Sequence, residues 1–174
     1  MYPDPALVSQ ADAAADQYGV PQEIFRNLIN AESSWNPNAT TPAGNGRTAE
    51  GITQIIPQYH PGVDPYNPSE ALPYTAKTLS EYYSQFGSWE SAVAAWNAGP
   101  NAVQKYGGVP PYGETQNYVR KIFTGINPVT TGTLPLASSE PAPGDTTSGG
   151  SLVKWIVYVV AALLLFAGYK YVTR

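Results

Sequence analysis

The residue best suited to chemistry in this 174-residue chain is Glu32, a carboxylate within an otherwise apolar helical pattern. Phe25, Leu28, Ile29 and Glu32 are spaced at i, i+3, i+4 and i+7, which places the four side chains on one face of a helix. A carboxyl group on a buried face loses hydration, which favours the protonated form that a general acid needs. The same spacing also fits a Glu32 that closes the helix end by pairing with a base or an amide. Periodicity alone leaves both interpretations open.

The composition gives little support to other kinds of active site. The chain has no cysteine and one histidine, so a thiolate nucleophile, a metal site or a Ser/His/Asp triad is not expected, and no cofactor is implied. That histidine, His60, lies in the turn-like segment PQYHP, which predicts an ordinary surface-loop side chain. The net charge is −4 and no stripe of Lys and Arg is present, so we expect no nucleic-acid partner.

Glu32 opens the first of four sequence blocks. The blocks are ESSWNPNA from Glu32, GITQIIP from Gly51, AWNAGP from Ala95 and YGGVPPYGETQNYV from Tyr106. In this order and spacing they resemble the soluble lytic transglycosylase family, whose catalytic domain is similar to goose-type lysozyme. The family patterns are ESx-aromatic-NPxA, GLMQLxP, AYNAGP and YGGVPPYxETxxYV. The resemblance covers about residues 21–123. One block would be weak support, whereas four in order are specific.

The resemblance implies roles for five residues. It makes Glu32 the sole catalytic acid/base, and it has Ser33 orient Glu32 or contact the sugar. Gln54 would bind an acetamido sugar near the scissile bond. Asn97 would lie in the cleft close to the reacting centre, and Tyr118 would hydrogen-bond the catalytic carboxyl.

The reaction that the resemblance implies uses one carboxylate, whereas most glycoside hydrolases use two. Glu32 would protonate the glycosidic oxygen between N-acetylmuramic acid and N-acetylglucosamine in peptidoglycan. The muramyl N-acetyl group would stabilise the oxocarbenium-like centre. Glu32 would then take the proton of the muramyl 6-hydroxyl as this hydroxyl attacks C1, and a 1,6-anhydro-muramyl end would form.

The chain departs from the family pattern at two places. Trp96 occupies the usual tyrosine position, which removes a hydroxyl group but keeps a ring, and both a core aromatic and a sugar contact fit it. An insertion, NGRT, brings Arg47 close to Glu50 beside the expected cleft. In goose-type lysozymes acidic residues of the corresponding loop are thought to position a water, so Glu50 would support a hydrolase with a reducing-end product. Solvated loop charges are the expected interpretation of Arg47 and Glu50. A catalytically inactive wall-binding module is the alternative from another functional class.

Helix caps and apolar spacing predict the elements that must position these residues. No alternating strand pattern is convincing, so residues 1–126 are predicted to form a compact all-α catalytic domain of the α+β lysozyme-like superfamily. The predicted helices run from Asp4-Pro5 to Gly19, from Pro21 to Asn36-Pro37, over 51–56, from Asn67 to about Phe86 with an awkward Pro73, from Ser88 to Gly99, and from about Glu114 to Phe123. A Gly-, Thr- and Pro-rich loop is predicted between residues 38 and 50.

Two further segments follow the predicted domain. Residues 127–151 are rich in Pro, Gly, Ser and Thr, which predicts a flexible linker. Residues 152–172, LVKWIVYVVAALLLFAGYKYV, carry no charge between Lys154 and Lys170. A helix of about 20 residues spans the ~30 Å hydrocarbon layer, so we predict one transmembrane helix with the lipid bilayer as a partner.

The predicted location follows from this anchor. The N-terminal segment has neither a basic region nor a long apolar run, so no signal peptide is expected. Lys170 and Arg174 against Lys154 weakly favour an interior C-terminus and a domain that faces outward. Bacteriophages that contain a membrane carry transglycosylases in the virion, so we expect the internal membrane of a virion, with other virion proteins as partners. The alternative is the bacterial inner membrane, with the domain facing the periplasm.

Overall fold

The computed structural model describes residues 3–44 and 46–126, which form six helices and a two-stranded sheet. In chain order the elements are α1 (Pro5–Tyr18), α2 (Gln22–Ser33), β1 (Thr40–Pro42), β2 (Thr48–Glu50), α3 (Pro68–Phe86), α4 (Trp89–Ala98), α5 (Pro100–Tyr106) and α6 (Gly113–Phe123). The prediction of a helical domain is confirmed for these residues. The prediction that it contains no strand is wrong.

The first helix begins and ends as its sequence predicts. The Asp4 carboxylate accepts a hydrogen bond of 2.9 Å from the backbone N–H of Ala6, and Pro5 takes the first helical position. Gly19 ends the helix with a left-handed backbone at φ 68°.

Helix α2 ends at Ser33, earlier than the sequence predicted. Ser34 and Trp35 both have a left-handed backbone, with φ of 53° and 67°. Side chains larger than hydrogen rarely adopt this conformation because the Cβ atom approaches the backbone. The chain therefore leaves the helix directly after Glu32 and Ser33, at an energetic cost.

The segment after α2 corrects two predictions, a loop over residues 38–50 and a helix over 51–56. Strands β1 and β2 pair antiparallel within the predicted loop, with Thr41 opposite Ala49. Residues 51–56 form turns instead of a helix, and the backbones of Glu50 and Ile55 exchange hydrogen bonds of 2.8 and 2.9 Å. The physical reason is the left-handed backbone of Gly51 (φ 73°) and Gln54 (φ 54°), which an α-helix does not accommodate.

The turn segment is held at a close backbone approach. The N–H of Gly51 donates to the carbonyl of Ala39 at 2.8 Å. A Cβ atom at Gly51 would lie 1.6 Å from the carbonyl oxygen of Pro65, so only glycine fits here. On the other side, the buried hydroxyl groups of Thr53 and Thr75 lie 2.9 Å apart and join the segment to α3.

Helix α3 confirms the predicted helix from residue 67 to residue 86. The Asn67 side chain accepts a bond of 3.1 Å from the N–H of Ser69 and donates one of 2.9 Å to Glu70, which caps the first turn. Pro73 lies inside the helix without ending it, at the loss of one backbone hydrogen bond.

The last three helices complete the domain. Ser88 caps α4 by accepting a hydrogen bond of 3.1 Å from the N–H of Ser91, as the sequence predicted. Helix α5 was not predicted: it is only seven residues long and begins at Pro100, directly after α4. Helix α6 lies within one residue of its predicted bounds.

Helix α2 contributes four of the largest fully buried side chains of the core. Its fully buried side chains pack with those of α3, α4 and α6 in one cluster that includes Ile24, Phe25, Leu28, Ile29, Leu72, Leu79, Val93 and Ile122. Burial of a side chain of this size is worth about 1.5–3 kcal/mol. The apolar stripe that led to Glu32 therefore faces the core, as the spacing predicted.

The predicted membrane span falls outside the part of the chain that the structure describes. Within residues 3–44 and 46–126, no helix is both long and apolar enough to cross a bilayer. The predicted linker at 127–151 and the predicted transmembrane helix at 152–172 lie outside the described residues.

Candidate active site

Glu32 lies in the last turn of α2 and is half-buried. The indole Nε1 of Trp96, on α4, donates a hydrogen bond of 3.1 Å to its Oε1 atom. The hydroxyl group of Tyr118, on α6, donates to the same oxygen. Three helices therefore meet at one carboxyl group.

Both of these hydrogen-bond donors to Glu32 are aromatic side chains. Burial favours the protonated carboxyl, whereas hydrogen bonds from N–H and O–H groups favour the ionised one.

The position of Tyr118 depends on how α6 is fixed to α2. Val119 and Ile122 turn one face of α6 into the core. The side-chain amide of Asn27, on α2, donates a hydrogen bond of 2.8 Å to the backbone carbonyl of Ile122. This bond joins the helix that carries Glu32 to the helix that carries Tyr118.

The hydroxyl group of Ser33 bonds the turn segment rather than Glu32. It donates to the carbonyl of Ile52 at 2.7 Å and lies 3.5 Å from the carbonyl of Ile29. Ser33 therefore fixes the end of α2 against residues 51–56. Any effect on the orientation of Glu32 would pass through this helix end.

Gln54 is buried, and its side-chain amide nitrogen is already used. Nε2 donates to the carbonyl of Gly51 at 2.9 Å and to that of Ala39 at 3.3 Å. These bonds brace the turn and leave the Oε1 atom as the group that would accept a sugar N–H. The amide nitrogen thus has a structural role, and the predicted sugar contact of Gln54 stays a prediction.

Trp96 and Asn97 are consecutive residues near the end of α4, and both are half-buried. The sequence leaves Trp96 open between a core aromatic and a sugar contact, and neither interpretation includes a hydrogen bond to Glu32. Asn97 lies next to this donor. Its predicted place in the cleft stays a prediction.

The prediction for His60 is wrong. The imidazole is half-buried and stacks on Trp96, with ring centroids 5.6 Å apart and planes 24° apart. Its Nδ1 atom lies 2.8 Å from the hydroxyl oxygen of Tyr74. Burial lowers the pKa of His60, so the neutral ring is favoured. Because His60 lies in a turn, no periodic signal revealed this position.

The charges of the inserted loop are not simply solvated, which corrects a second prediction. The Arg47 guanidinium lies 5.0 Å above the ring of Tyr59, a cation–π geometry. Partial desolvation and the nearby Glu50 carboxylate raise the pKa of the Tyr66 hydroxyl. A tyrosine thus lies close to each charge.

A metal centre finds no candidate ligands in the part of the chain that the structure describes. There, no three side chains among His, Asp and Glu are grouped so as to hold an ion.

By sequence, the chain is similar to one protein family and to two known proteins. Residues 9–119 match the protein family described as the transglycosylase SLT domain. Protein IpgF of Shigella flexneri is 28% identical over 103 residues, which are 54% of this chain and 68% of that protein. The transglycosylase of Enterobacteria phage PRD1 is 26% identical over 136 residues, 76% of this chain and 49% of that protein.

A solved structure is also similar. The crystal structure of the 70 kDa soluble lytic transglycosylase SLT70 from Escherichia coli matches with a TM-score of 0.54 and 26% identity. The match covers 64% of this chain and 22% of that chain. The chain therefore spans about half the length of the phage protein and about a fifth of SLT70.

Proposed function

Because the chain belongs to the transglycosylase SLT domain family, we propose that it cleaves the β-1,4 bond between N-acetylmuramic acid and N-acetylglucosamine in peptidoglycan and leaves 1,6-anhydro-muramyl ends. The observation that carries the proposal is the Glu32 carboxyl group, which receives hydrogen bonds from Trp96 and Tyr118 at the meeting point of three helices.

In the first step, protonated Glu32 donates its proton to the glycosidic oxygen. The bond between this oxygen and the muramyl C1 breaks, and N-acetylglucosamine leaves as the alcohol. Positive charge develops at C1 and is stabilised by the oxygen of the muramyl N-acetyl group. The donors Trp96 and Tyr118 stabilise the negative charge that develops on Glu32 at the same moment.

In the second step, ionised Glu32 takes the proton of the muramyl 6-hydroxyl group. The freed oxygen bonds to C1, which closes the 1,6-anhydro ring and restores protonated Glu32. One carboxyl group thus makes both proton transfers, and no water is consumed. The Oε1 atom of Gln54 is proposed to accept the acetamido N–H of the substrate, while Asn97 lines the cleft.

A hydrolase of the goose-type lysozyme kind is the second candidate, since a carboxylate in the loop before Gly51 would position a water. Glu50 lies in that loop, half-buried and close to Tyr66. The transglycosylase reaction stays the first candidate because the matched family is described by that activity.

One experiment separates these reactions. Purified peptidoglycan is digested with the full-length chain and with Glu32→Gln, and the released muropeptides are analysed by mass spectrometry. Anhydro ends that disappear in Glu32→Gln support the proposal, whereas reducing ends, 18 Da heavier by one water, support the hydrolase. Clearing by neither chain would support a catalytically inactive wall-binding module instead.

We further propose that the chain is anchored in a membrane by residues 152–172 and acts in a phage virion, where it opens the host wall locally while the genome is delivered. The composition of that segment and the similarity to a phage transglycosylase support this location. Fractionation of lysates on density gradients tests it. The proposal fails if the protein accompanies the host inner membrane and is absent from purified particles.

A further inference from the structure

His60 is in contact with the candidate active site through one aromatic ring. Its imidazole stacks on Trp96, whose indole N–H donates to Glu32, and Tyr74 holds the Nδ1 side of the imidazole at 2.8 Å. The Tyr74 ring also meets the imidazole edge-on, at 5.5 Å between centroids. The imidazole thus contacts Tyr74 of α3 on one side and Trp96 of α4 on the other.

We propose that His60 is a positioning residue, which holds Trp96 against Glu32 and couples the strength of that hydrogen bond to its own protonation. The inference rests on the proposed function for its effect on the rate, but its structural part stands on the contacts alone. Tyr74, His60, Trp96 and Glu32 form a continuous series of contacts, here termed the His60 relay.

The neutral relay supports the acid step by fixing the indole. A stacked pair of aromatic rings contributes about 0.5–1.5 kcal/mol beyond its buried area. Without His60, one face of Trp96 would lose its packing partner. The indole N–H would then spend part of its time away from the Oε1 atom of Glu32, to which it now donates at 3.1 Å.

Protonation would change the relay in two ways. An imidazolium on the face of Trp96 forms a cation–π pair and polarises the indole, which makes its N–H a stronger donor. A stronger donor favours ionised Glu32, which makes the carboxylate a weaker base for the second step, in which it must take the proton of the muramyl 6-hydroxyl. Nδ1 would also become a donor, and the Tyr74 hydroxyl would have to accept from it.

The groups around His60 determine the pH range in which its imidazole becomes protonated. Tyr74 faces it from α3, and Glu32 lies beyond Trp96; on its own loop, Tyr59 carries the Arg47 cation over its ring. Burial lowers the pKa of His60 below its ordinary value, so the relay is neutral at pH 7 and becomes charged only in acid.

Indole fluorescence of the full-length chain tests the relay without any substrate. A protonated imidazole in contact with an indole quenches its emission, and His60 is the chain's single histidine. We expect emission to fall as the pH is lowered from 8 to 5, and we expect this transition to be absent in His60→Phe and in Trp96→Phe. His60→Phe keeps a ring in the stack but cannot be protonated. Tyr74→Phe keeps the stack and should keep the transition, at a shifted midpoint.

The rate of peptidoglycan clearing gives the second readout. We expect His60→Ala to lower kcat about 2- to 10-fold at pH 7, with His60→Phe closer to wild type because the ring is restored. In acid, wild type should lose activity more steeply than His60→Phe. Circular dichroism of each variant confirms that its fold is retained.

The outcomes separate this inference from the proposed function. A fluorescence transition that persists in His60→Phe, or that wild type lacks, overturns the relay even if the chain clears peptidoglycan. A transition that behaves as expected in a chain that clears nothing supports the relay contacts and refutes the proposed activity. If wild type and His60→Phe lose clearing activity equally as the pH falls, the proposed coupling between His60 protonation and the hydrogen bond from Trp96 to Glu32 is overturned.

Discussion

Replacing Gly51 with alanine is expected to unfold the turn segment at the site, and the structure allows its cost to be divided into two parts. The first part is conformational, since the backbone of Gly51 is left-handed at φ 73°. An alanine in that region costs about 1–2 kcal/mol. The second part is steric: the new Cβ atom would lie 1.6 Å from the carbonyl oxygen of Pro65.

The steric part exceeds the conformational one. The Pro65 carbonyl would have to withdraw by at least about 1.4 Å to reach a 3.0 Å contact, the shortest that real Cβ atoms show. Pro65 is itself buried, so its backbone has little room to move. Forcing extra atoms into packed structure costs about 1–3 kcal/mol, with backbone obstacles at the upper end. We therefore expect Gly51→Ala to lower the free energy of unfolding by about 3–5 kcal/mol in total.

Gly46 supplies a matched control. Its φ is 72°, almost the same as that of Gly51, and an added Cβ atom would meet nothing within 4 Å. Gly46→Ala should therefore carry the conformational cost alone, about 1–2 kcal/mol. Urea unfolding followed by circular dichroism measures both variants, and peptidoglycan clearing shows whether the turn still supports Ser33 and Gln54.

One result of comparing Gly51→Ala with Gly46→Ala would contradict the steric explanation. If the two alanine variants lose the same free energy of unfolding within about 0.5 kcal/mol, which is the usual error of additivity, the approach to Pro65 does not exclude a side chain. If Gly51→Ala is strongly destabilised but cleared peptidoglycan at the normal rate, the turn would be structural without bearing on the site.

Three other substitutions give separate checks. Trp96→Phe removes one hydrogen bond to a charged acceptor, so kcat for clearing should fall about 10- to 100-fold with the fold intact; a loss under twofold would exclude the indole N–H from the machinery. Asn27→Ala should lower the free energy of unfolding by about 1–2 kcal/mol in urea, while the exposed Asn30→Ala should change it little. Burial lowers the pKa of His60 in the folded chain, so the unfolded chain binds more protons just below pH 6.5. The contribution of His60 to the free energy of unfolding should therefore be complete above that pH and decrease as the pH falls. His60→Phe should remove this pH dependence.

The sequence predicted the elements whose ends are encoded by neighbouring residues. The caps Asp4, Asn67 and Ser88 and the stop at Gly19 lie where the structure has them, because a cap needs only a side chain and a backbone N–H two or three residues away. The apolar face of α2 was predictable for the same reason, since i, i+3 and i+4 neighbours lie within one helix.

What the sequence missed depends on contacts between distant residues. The turns at 51–56 contain enough apolar residues to suggest a helix, but the approach to Pro65 requires another backbone conformation. Helix α5 is too short for periodicity to reveal. The stack of His60 on Trp96 joins residues 36 positions apart, and the family resemblance covers neither that contact nor the indole donor.

The three left-handed residues other than glycine in the described part of the chain, Ser34, Trp35 and Gln54, have a consequence for how this domain would respond to selection. Each stores about 1–3 kcal/mol of backbone strain, and glycine at any of them would release it. All three lie at the exit of α2 or in the turn that braces it. A laboratory search for a higher melting temperature would accept glycine at the exposed Ser34, where little besides the strain is lost. It would reject glycine at Gln54, because the two hydrogen bonds that brace the turn would be lost with the side chain.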